Sequence, residues 1–320
     1  MKQILLNFPK QFSQGYEITK DFVSPYHGIK NVLVVGMGGS ALPGDFLKMY
    51  LSEDNVKVSV ARDYRLRKPV SNDTVVFVIS YSGNTEETIE ALEQLIQTKA
   101  NIVVLASGGK LVELAHTNNL PLILVPQGMQ PRCATGYFFS IMVAVLEKMN
   151  VVSHKQNEII SLKETLSSLV DHAYLQNLAK RIQGKVPLVY GASDFLFVVR
   201  NIKIKFNENS KTQAFFNVFP ELNHNEMVGF THLVMTPFFL IFQKPNDHER
   251  VIKRMHIFAQ LMKEKHLETE IILLRGKTML EWIFEASYMG DWLSYYLALA
   301  YGIDPEPVVM VEDFKKKMVA

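Results

Sequence analysis

The sequence contains a single cysteine, Cys133, among 320 residues, and it lacks any long apolar run. One thiol cannot form an intrachain disulfide or a thiolate zinc cluster, so the sequence favours a reducing, cytoplasmic location without a catalytic metal. The apolar run in the N-terminal MKQILLNFPK is too short for a signal peptide. No stretch approaches the roughly 20 apolar residues of a membrane-spanning helix, so no membrane partner is expected.

The sequence also lacks an excess of charge of either sign. It has 34 Lys and Arg against 32 Asp and Glu, for a formal net charge of +2. No basic run is interleaved with aromatic residues, so nothing indicates a nucleic-acid partner. The KKK at 315–317 is typical of a solvated helix end rather than of a membrane tether.

Apolar strands alternate with helical segments along almost the whole chain. Strands are predicted at NVLVV, VKVSVA, TVVFVIS, NIVVLAS and LPLILVP in one half, and at VPLVYGAS, AFFNVFP, LVMTPFFLIFQ and TEIILLRG in the other. Helices are expected near 43–51, 86–99, 110–117, 132–148, 156–182 and 194–208, with two more toward the C-terminus. This order predicts an α/β fold with two domains, 1–152 and 153–320, each a mainly parallel sheet flanked by helices in a three-layer sandwich.

The first glycine-rich loop, VVGMGGSALPG, follows a strand and precedes a helix. Glycines there allow close backbone approach, and the helix N-terminus offers free N–H groups to an anion. Gly36, Gly38 and Ala41 also fit the G-x-G-x-x-A pattern of dinucleotide-binding proteins, with Asp63 near the end of the second strand. The loop therefore indicates an anion site, and a glycine turn without a ligand is the alternative.

A second loop, ISYSGNTEET, places three hydroxyls at the end of a predicted buried strand. Ser80, Ser82 and Thr85 lie where open α/β sheets bind ligands, and three hydroxyls with helix N–H groups suit a phosphate. Helix capping by Thr85 would explain one hydroxyl but not three. Two anion loops on neighbouring strands predict one phosphorylated ligand.

The segments GMGGSALPGD and SYSGNTEET resemble the sugar isomerase (SIS) domain of phosphosugar isomerases and phosphosugar-binding regulators. With QPRCATGY, KFNENSKTQAFFNVFPELNHNE and GIDPEPV, the chain resembles the bifunctional phosphoglucose/phosphomannose isomerase family over nearly its whole length. That family has two SIS domains. The resemblance implies that the phosphate is bound by Gly39, Ser40, Ser80, Ser82 and Thr85, which weakens the dinucleotide interpretation.

The same resemblance assigns the acid–base residues. Aldose–ketose isomerisation needs a base that moves a proton between C1 and C2 and a group that stabilises the enediolate oxygens. It also needs an acid–base group that opens the sugar ring. Glu208 in FNENSK, which from composition alone is a surface residue, corresponds to the family's proton-transferring base. His224 in ELNHNE corresponds to the ring-opening group, donated across a homodimer interface, with helix capping by Asn223 or Asn225 as the alternative. Arg132 in QPRCA corresponds to the arginine at the sugar.

Two further features qualify this assignment. Cys133 beside Arg132 is predicted to be a core residue rather than a nucleophile, because the reaction needs no thiol. Some relatives carry a Lys on the helix before the GIDP turn. Here DWLSYYLALAYGIDPEP has none, and Tyr295 or Tyr296 takes its place.

The sequence thus predicts an enzyme that interconverts glucose 6-phosphate, and mannose 6-phosphate, with fructose 6-phosphate, without a cofactor. Its expected partners are a phosphorylated hexose and a second copy of the chain. A non-catalytic sugar-phosphate-binding protein and an NAD(P)-binding oxidoreductase are the alternatives.

Overall fold

The computed structural model of the chain describes residues 1–66, 69–98 and 100–319. The chain divides into two compact units, Leu6–Ser167 and Met1–Leu5 with Ser168–Ala320, called here the N-terminal and C-terminal units. The sequence-based boundary between 152 and 153 lies before the helix Gln156–Leu169, most of which belongs to the N-terminal unit.

The N-terminal unit contains a five-stranded parallel sheet in the order β2-β1-β3-β4-β5. Its strands are β1 (Asn31–Gly36), β2 (Lys57–Ala61), β3 (Thr74–Ser80), β4 (Asn101–Ala106) and β5 (Leu122–Leu124). Its helices are α1 (Lys2–Asn7, which spans the division), α2 (Gln11–Ile18), α3 (Gly38–Tyr50), α4 (Glu86–Ile96), α5 (Lys110–Thr117), α6 (Thr135–Lys148) and α7 (Gln156–Leu169).

Both faces of this sheet are covered, which explains why its strands are apolar without alternation. Val35 and Val78 pack in a buried cluster with α4 and α5. On the opposite face, a Cβ on Gly44 of α3 would lie 2.8 Å from the side chain of Val34. Glycine at this position therefore allows α3 to approach β1 closely.

The C-terminal unit repeats the arrangement with a four-stranded parallel sheet in the order β7-β6-β8-β9. Its strands are β6 (Val186–Ala192), β7 (Phe215–Phe219), β8 (Pro237–Gln243) and β9 (Glu268–Leu273). Its main helices are α8 (His172–Ile182), α9 (Leu196–Asn209), α10 (Glu249–Glu264), α11 (Met279–Ala300) and α12 (Val309–Val319). The α/β fold with two parallel sheets is confirmed.

The aromatic core of the C-terminal unit lies between its sheet and α10. Tyr190 and Phe239 meet Phe258 of α10 with ring centroids 5.7 and 5.1 Å away. On the opposite face of the sheet, a Cβ on Gly191 would lie 3.0 Å from the side chain of Val199 of α9. The sheet therefore has α10 on one face and α9 on the other.

Three local predictions were wrong. The helix expected over 156–182 is two helices, because Asp171 accepts the N–H of Tyr174 and caps α8 as a new start. The helix expected from Pro43 begins earlier, at Gly38, with Pro43 inside it. Three helices, α10 to α12, occupy the C-terminal part where two were expected, and 315–317 lies on exposed α12 as predicted.

Candidate active-site elements

The Ser80–Thr85 loop is organised by its own hydroxyls. Ser80 is buried at the end of β3, and its Oγ lies 2.8 Å from Thr85 Oγ1 and accepts the N–H of Gly83 at 3.2 Å. Thr85 stands at the N-cap of α4, but its side chain makes no capping bond. Capping therefore does not account for the Thr85 hydroxyl. Ser82 is exposed at the loop tip, where its Oγ accepts the N–H of Asn84.

The glycine-rich loop after β1 joins the same edge of the sheet. Buried Ser40 in the first turn of α3 accepts the N–H of Tyr81 at 3.0 Å, which ties the two loops together. A Cβ on Gly39 would lie 2.6 Å from the backbone nitrogen of Arg132. The structure thus brings Gly39, Ser40 and the Ser80–Thr85 loop together with Arg132 in one unit.

Arg132 is 1% exposed and lies in a short 3-10 turn, Pro131–Cys133. Gln11 of α2 holds this turn from both sides: its side chain donates to Cys133 O at 2.7 Å and accepts the N–H of Tyr137 at 3.2 Å. Tyr81 holds the preceding segment, since its hydroxyl donates to Pro126 O and accepts the N–H of Met129. Burial raises the pKa of Tyr81.

Gln11 and Tyr81 were not identified from the sequence. Each acts over long separations, 122 residues for the Gln11–Cys133 bond and 48 for Tyr81–Met129. The one available signal was a glutamine at the start of the amphipathic helix α2. Cys133 is buried at 2% exposure, in agreement with its prediction as a core residue.

Glu208 lies in the C-terminal unit, in the last turn of α9 and not in the loop after it. The helix ends there because Lys211 adopts a left-handed backbone, with φ of 54°. The Lys211 ammonium donates to the main-chain oxygen of Glu208 at 2.7 Å and to that of Pro305 at 3.2 Å. Lys211 therefore connects the end of α9 to the GIDP turn.

His224 follows β7 in a 3-10 turn, Glu221–His224. The next turn is capped by Asn225, whose side chain accepts the N–H of Glu226. The Glu226 carboxylate accepts the hydroxyl of Tyr190 from β6 and the side-chain amide of Asn217 from β7. Burial and the nearby Glu226 carboxylate raise the pKa of Tyr190. The His224 segment is thereby attached to the sheet core.

Glu208 and His224 lie on segments that adjoin opposite ends of β7, an edge strand of the C-terminal sheet. Helix α9 leads into the amino end of β7, and His224 follows its carboxyl end. The five residues of β7 span about 16 Å at the rise of a strand. Glu208 and His224 of one chain therefore belong to segments that adjoin opposite ends of this strand.

Neither tyrosine expected in place of the lysine stands free in the structure. Tyr295 is 9% exposed and packs edge-on against Trp292. The Tyr296 hydroxyl lies 3.1 Å from His172 Nδ1. Lys211, three residues after Glu208, does contact the GIDP turn through Pro305 O. It follows α9, whereas the lysine of the relatives lies on the helix before that turn.

The strand ends of the C-terminal sheet have a different chemistry from those of the N-terminal sheet. After β8, the 1%-exposed ammonium of Lys244 is paired with Asp194, which follows β6, and with Asp247. These positions correspond in sheet order to the hydroxyl loops after β3 and β1. An ion cluster, in which Lys244 and Asp247 are buried and Asp194 is exposed, thus stands where the N-terminal unit has its hydroxyls. The sequence analysis missed this feature.

The described part of the chain lacks two features that would indicate other functions. None of its helices combines the length and apolar character that crossing a membrane requires. No three His, Cys, Asp or Glu side chains among those residues come together as metal ligands.

Both units match known domain families. Residues 26–135 match the SIS domain, and residues 172–318 match the bacterial phospho-glucose isomerase C-terminal SIS domain. The C-terminal domain of glucosamine-fructose-6-phosphate aminotransferase from Francisella tularensis has the same fold. Its TM-score is 0.70 at 13% identity, with 96% of this chain and 97% of that one covered. Fold and loops together define a protein with two SIS domains.

Sequence relatives define the family more narrowly. A bifunctional phosphoglucose/phosphomannose isomerase from Caldicellulosiruptor bescii is 35% identical, with 99% of this chain and 98% of the relative covered. A D-glucosamine-6-phosphate 4-epimerase from Sulfolobus acidocaldarius is also 35% identical, with 67% and 71% covered. Since the first match spans both chains almost completely, this chain belongs to the bifunctional phosphoglucose/phosphomannose isomerase family.

Proposed function

We propose that this protein is an aldose–ketose isomerase that interconverts glucose 6-phosphate and mannose 6-phosphate with fructose 6-phosphate. The observation that carries this proposal is the pair of hydroxyl loops joined by the bond between Ser40 and the Tyr81 N–H. These loops supply neutral hydrogen-bond donors at a helix N-terminus, which suits a phosphate dianion. The full-length similarity to bifunctional phosphoglucose/phosphomannose isomerases supports the choice of sugars.

Gly39, Ser40, Ser80, Ser82 and Thr85 bind the phosphate of the open-chain sugar in this proposal. Glu208 removes the proton from C2 of the aldose and returns one to C1, while the proton on the C2 oxygen moves to the C1 oxygen. The intermediate is a cis-enediol, whose oxygens Arg132 holds with its permanently charged, planar guanidinium. Rotation about the C2–C3 bond of this intermediate allows one base to serve both epimers.

His224 opens the sugar ring and, in this proposal, acts in the active site of a second copy of the chain. The separation of Glu208 and His224 along β7 supports contribution from a partner, since both groups must reach neighbouring sugar atoms. The segment after His224 exposes apolar side chains, with Val228 71%, Leu233 44% and Val234 91% exposed. Clustered exposed apolar residues are typical of protein interfaces. A cytoplasmic homodimer is the proposed form.

The substrate assignment is tested by following fructose 6-phosphate formation from both aldoses, while conversion of glucosamine 6-phosphate, a third substrate, to its C4 epimer is followed separately by chromatography. We expect turnover of both aldoses and loss of deuterium from substrate labelled at C2, because the proton exchanges with water through the base. Binding of all three sugars without turnover would instead favour the non-catalytic alternative. Turnover of glucosamine 6-phosphate alone would indicate the chemistry named for the Sulfolobus relative.

The shared active site is tested by subunit mixing. Glu208→Gln and His224→Ala chains are each expected to be nearly inactive as homodimers. When they are co-expressed, half of the dimers contain both chains, and one of their two sites is intact. Activity should therefore recover to about a quarter of the wild-type value, as isologous pairing requires.

Each variant taken alone through the same co-expression and purification is the control. No recovery in a mixture that light scattering shows to be dimeric would place His224 in the site of its own chain. A monomeric wild-type protein that turns over both aldoses would also contradict the shared site.

A further inference from the structure

Helices α9 and α11 face each other through three buried polar pairs, which we call the polar ladder. Ser287 donates to Asn201 Oδ1 at 2.9 Å, the Lys205 ammonium lies 2.8 Å from Asp291, and Asn209 donates to Ser294 Oγ at 2.9 Å. All six residues are 1% exposed or less. Polar groups in a core are expensive unless they are paired, so such an arrangement constrains the packing strongly.

The spacing of the pairs shows how the helices run. The rungs are four residues apart on α9, and four and three residues apart on α11, so each set lies on one helix face. Residue numbers increase in the same direction along both sets, so the two helices run parallel along this contact. A Cβ on Gly290 would lie 2.8 Å from Ile202, so the helices also approach closely between the first two rungs.

The ladder determines the axial register of α9. An apolar contact between two helices tolerates sliding or rotation with modest loss, because dispersion contacts are non-directional. Displacing α9 by one turn, about 5.4 Å, would instead leave the Lys205 ammonium and the Asp291 carboxylate buried away from each other. Only one register satisfies all three rungs.

Glu208 lies between the last two α9 positions of the ladder, Lys205 and Asn209. At 3.6 residues per turn it lies about 60° around the helix from Lys205, next to the ladder face, and it is half-buried. With Lys211 closing the helix on the Glu208 carbonyl, the orientation of the final turn is held from two sides. The first rung, at Asn201, is seven residues away, about 10 Å along the helix.

We propose that the last two rungs of the polar ladder position Glu208 for proton transfer, and that the first rung has only a structural role. This inference rests on the proposed function, in which Glu208 is the base. Lys205, Asn209, Asp291 and Ser294 are thus positioning residues, because they act through Glu208 rather than on the sugar.

Two serines of α11 provide a matched test. Ser294→Ala removes the rung next to Glu208, whereas Ser287→Ala removes the same hydroxyl from the distant rung. We expect Ser294→Ala to lower kcat by about tenfold to a hundredfold with KM unchanged, because misplacing a base by about 1 Å has an effect of this size. The kinetic isotope effect with aldose deuterated at C2 should rise, since proton transfer becomes slower than other steps. Ser287→Ala should retain the wild-type kcat and isotope effect.

Thermal melting identifies any variant that fails to fold. Asn209→Ala removes the same rung as Ser294→Ala from the other helix and must reproduce its kcat and isotope effect. Equal kcat values for the Ser294→Ala and Ser287→Ala enzymes would overturn the ladder proposal while leaving the isomerase function intact. An inactive wild type, or full activity of Glu208→Gln, would overturn the proposed function itself and with it any positioning of a base.

Discussion

Replacing Glu208 with Gln is expected to lower kcat for both aldose phosphates by about 10³, within the range of about 10²–10⁴ that a general base contributes. Gln keeps the size of the side chain and its ability to hydrogen bond, but it cannot accept the C2 proton. The position at the end of α9 changes little, because the backbone contact with Lys211 uses the Glu208 main-chain oxygen. A coupled assay with each aldose measures the effect.

Binding and a second glutamate provide the controls for this prediction. The dissociation constant for fructose 6-phosphate, measured by calorimetry, should stay near the wild-type value, since the Ser and Thr loops are untouched. Glu93→Gln, on the exposed side of α4, should leave kcat unchanged. A Glu208→Gln enzyme that retains more than about a tenth of the wild-type kcat would assign the base to another residue.

Replacing Gly83 with Ala is expected to damage both stability and phosphate binding. Gly83 has φ of 70°, and a Cβ there would lie 1.7 Å from the oxygen of Gly108. The left-handed backbone costs about 1–2 kcal/mol for a residue with a Cβ. Forced displacement of a packed neighbour adds about 1–3 kcal/mol. We therefore expect a loss of about 2–5 kcal/mol in the free energy of unfolding, measured in urea.

The same substitution is expected to disturb the Ser80–Thr85 loop. Gly83 O accepts the N–H of Leu111, and the Asn84 side chain accepts the N–H of Lys110. Moving this contact displaces the Ser80–Thr85 turn, so KM should rise for both sugars.

Gly28→Ala is the matched control. Gly28 has φ of 68°, but no atom of the described residues lies within 4 Å of its Cβ position. Its stability loss therefore measures the backbone cost alone, and its KM should not change. If the two variants lose the same stability, the contact with Gly108 is not what requires glycine at position 83.

The fold class and the hydroxyl loop were accessible from the sequence because their determinants are local. Strand β3 is a continuous apolar run, and Ser80, Ser82 and Thr85 follow it within five residues. The bonds that shape this loop, Ser80 to Thr85 and Ser80 to Gly83, join residues no more than five apart. Residue order alone therefore places those groups near one another.

Helix boundaries were less accessible, since they depend on competing interactions. Pro43 is compatible with a helix start, and this favoured a start five residues too late. Asp171 begins a new helix, α8, by accepting the N–H of Tyr174, shortly after α7 ends. The sequences of both helices are amphipathic. Periodicity does not distinguish one long helix from two that share a hydrophobic pattern.

The sequence by itself determined two parallel α/β sheets and a cluster of hydroxyls at the end of β3, for which we propose phosphate binding. Only the tertiary structure decided how the proposed catalytic residues are held: Gln11 bonds to the Arg132 turn, Tyr190 bonds to the His224 segment, and the polar ladder lies beside Glu208. The partners in these contacts are 36 to 122 residues apart. Their pairing is decided by which helices and strands pack together, a property of the folded chain that no short segment encodes.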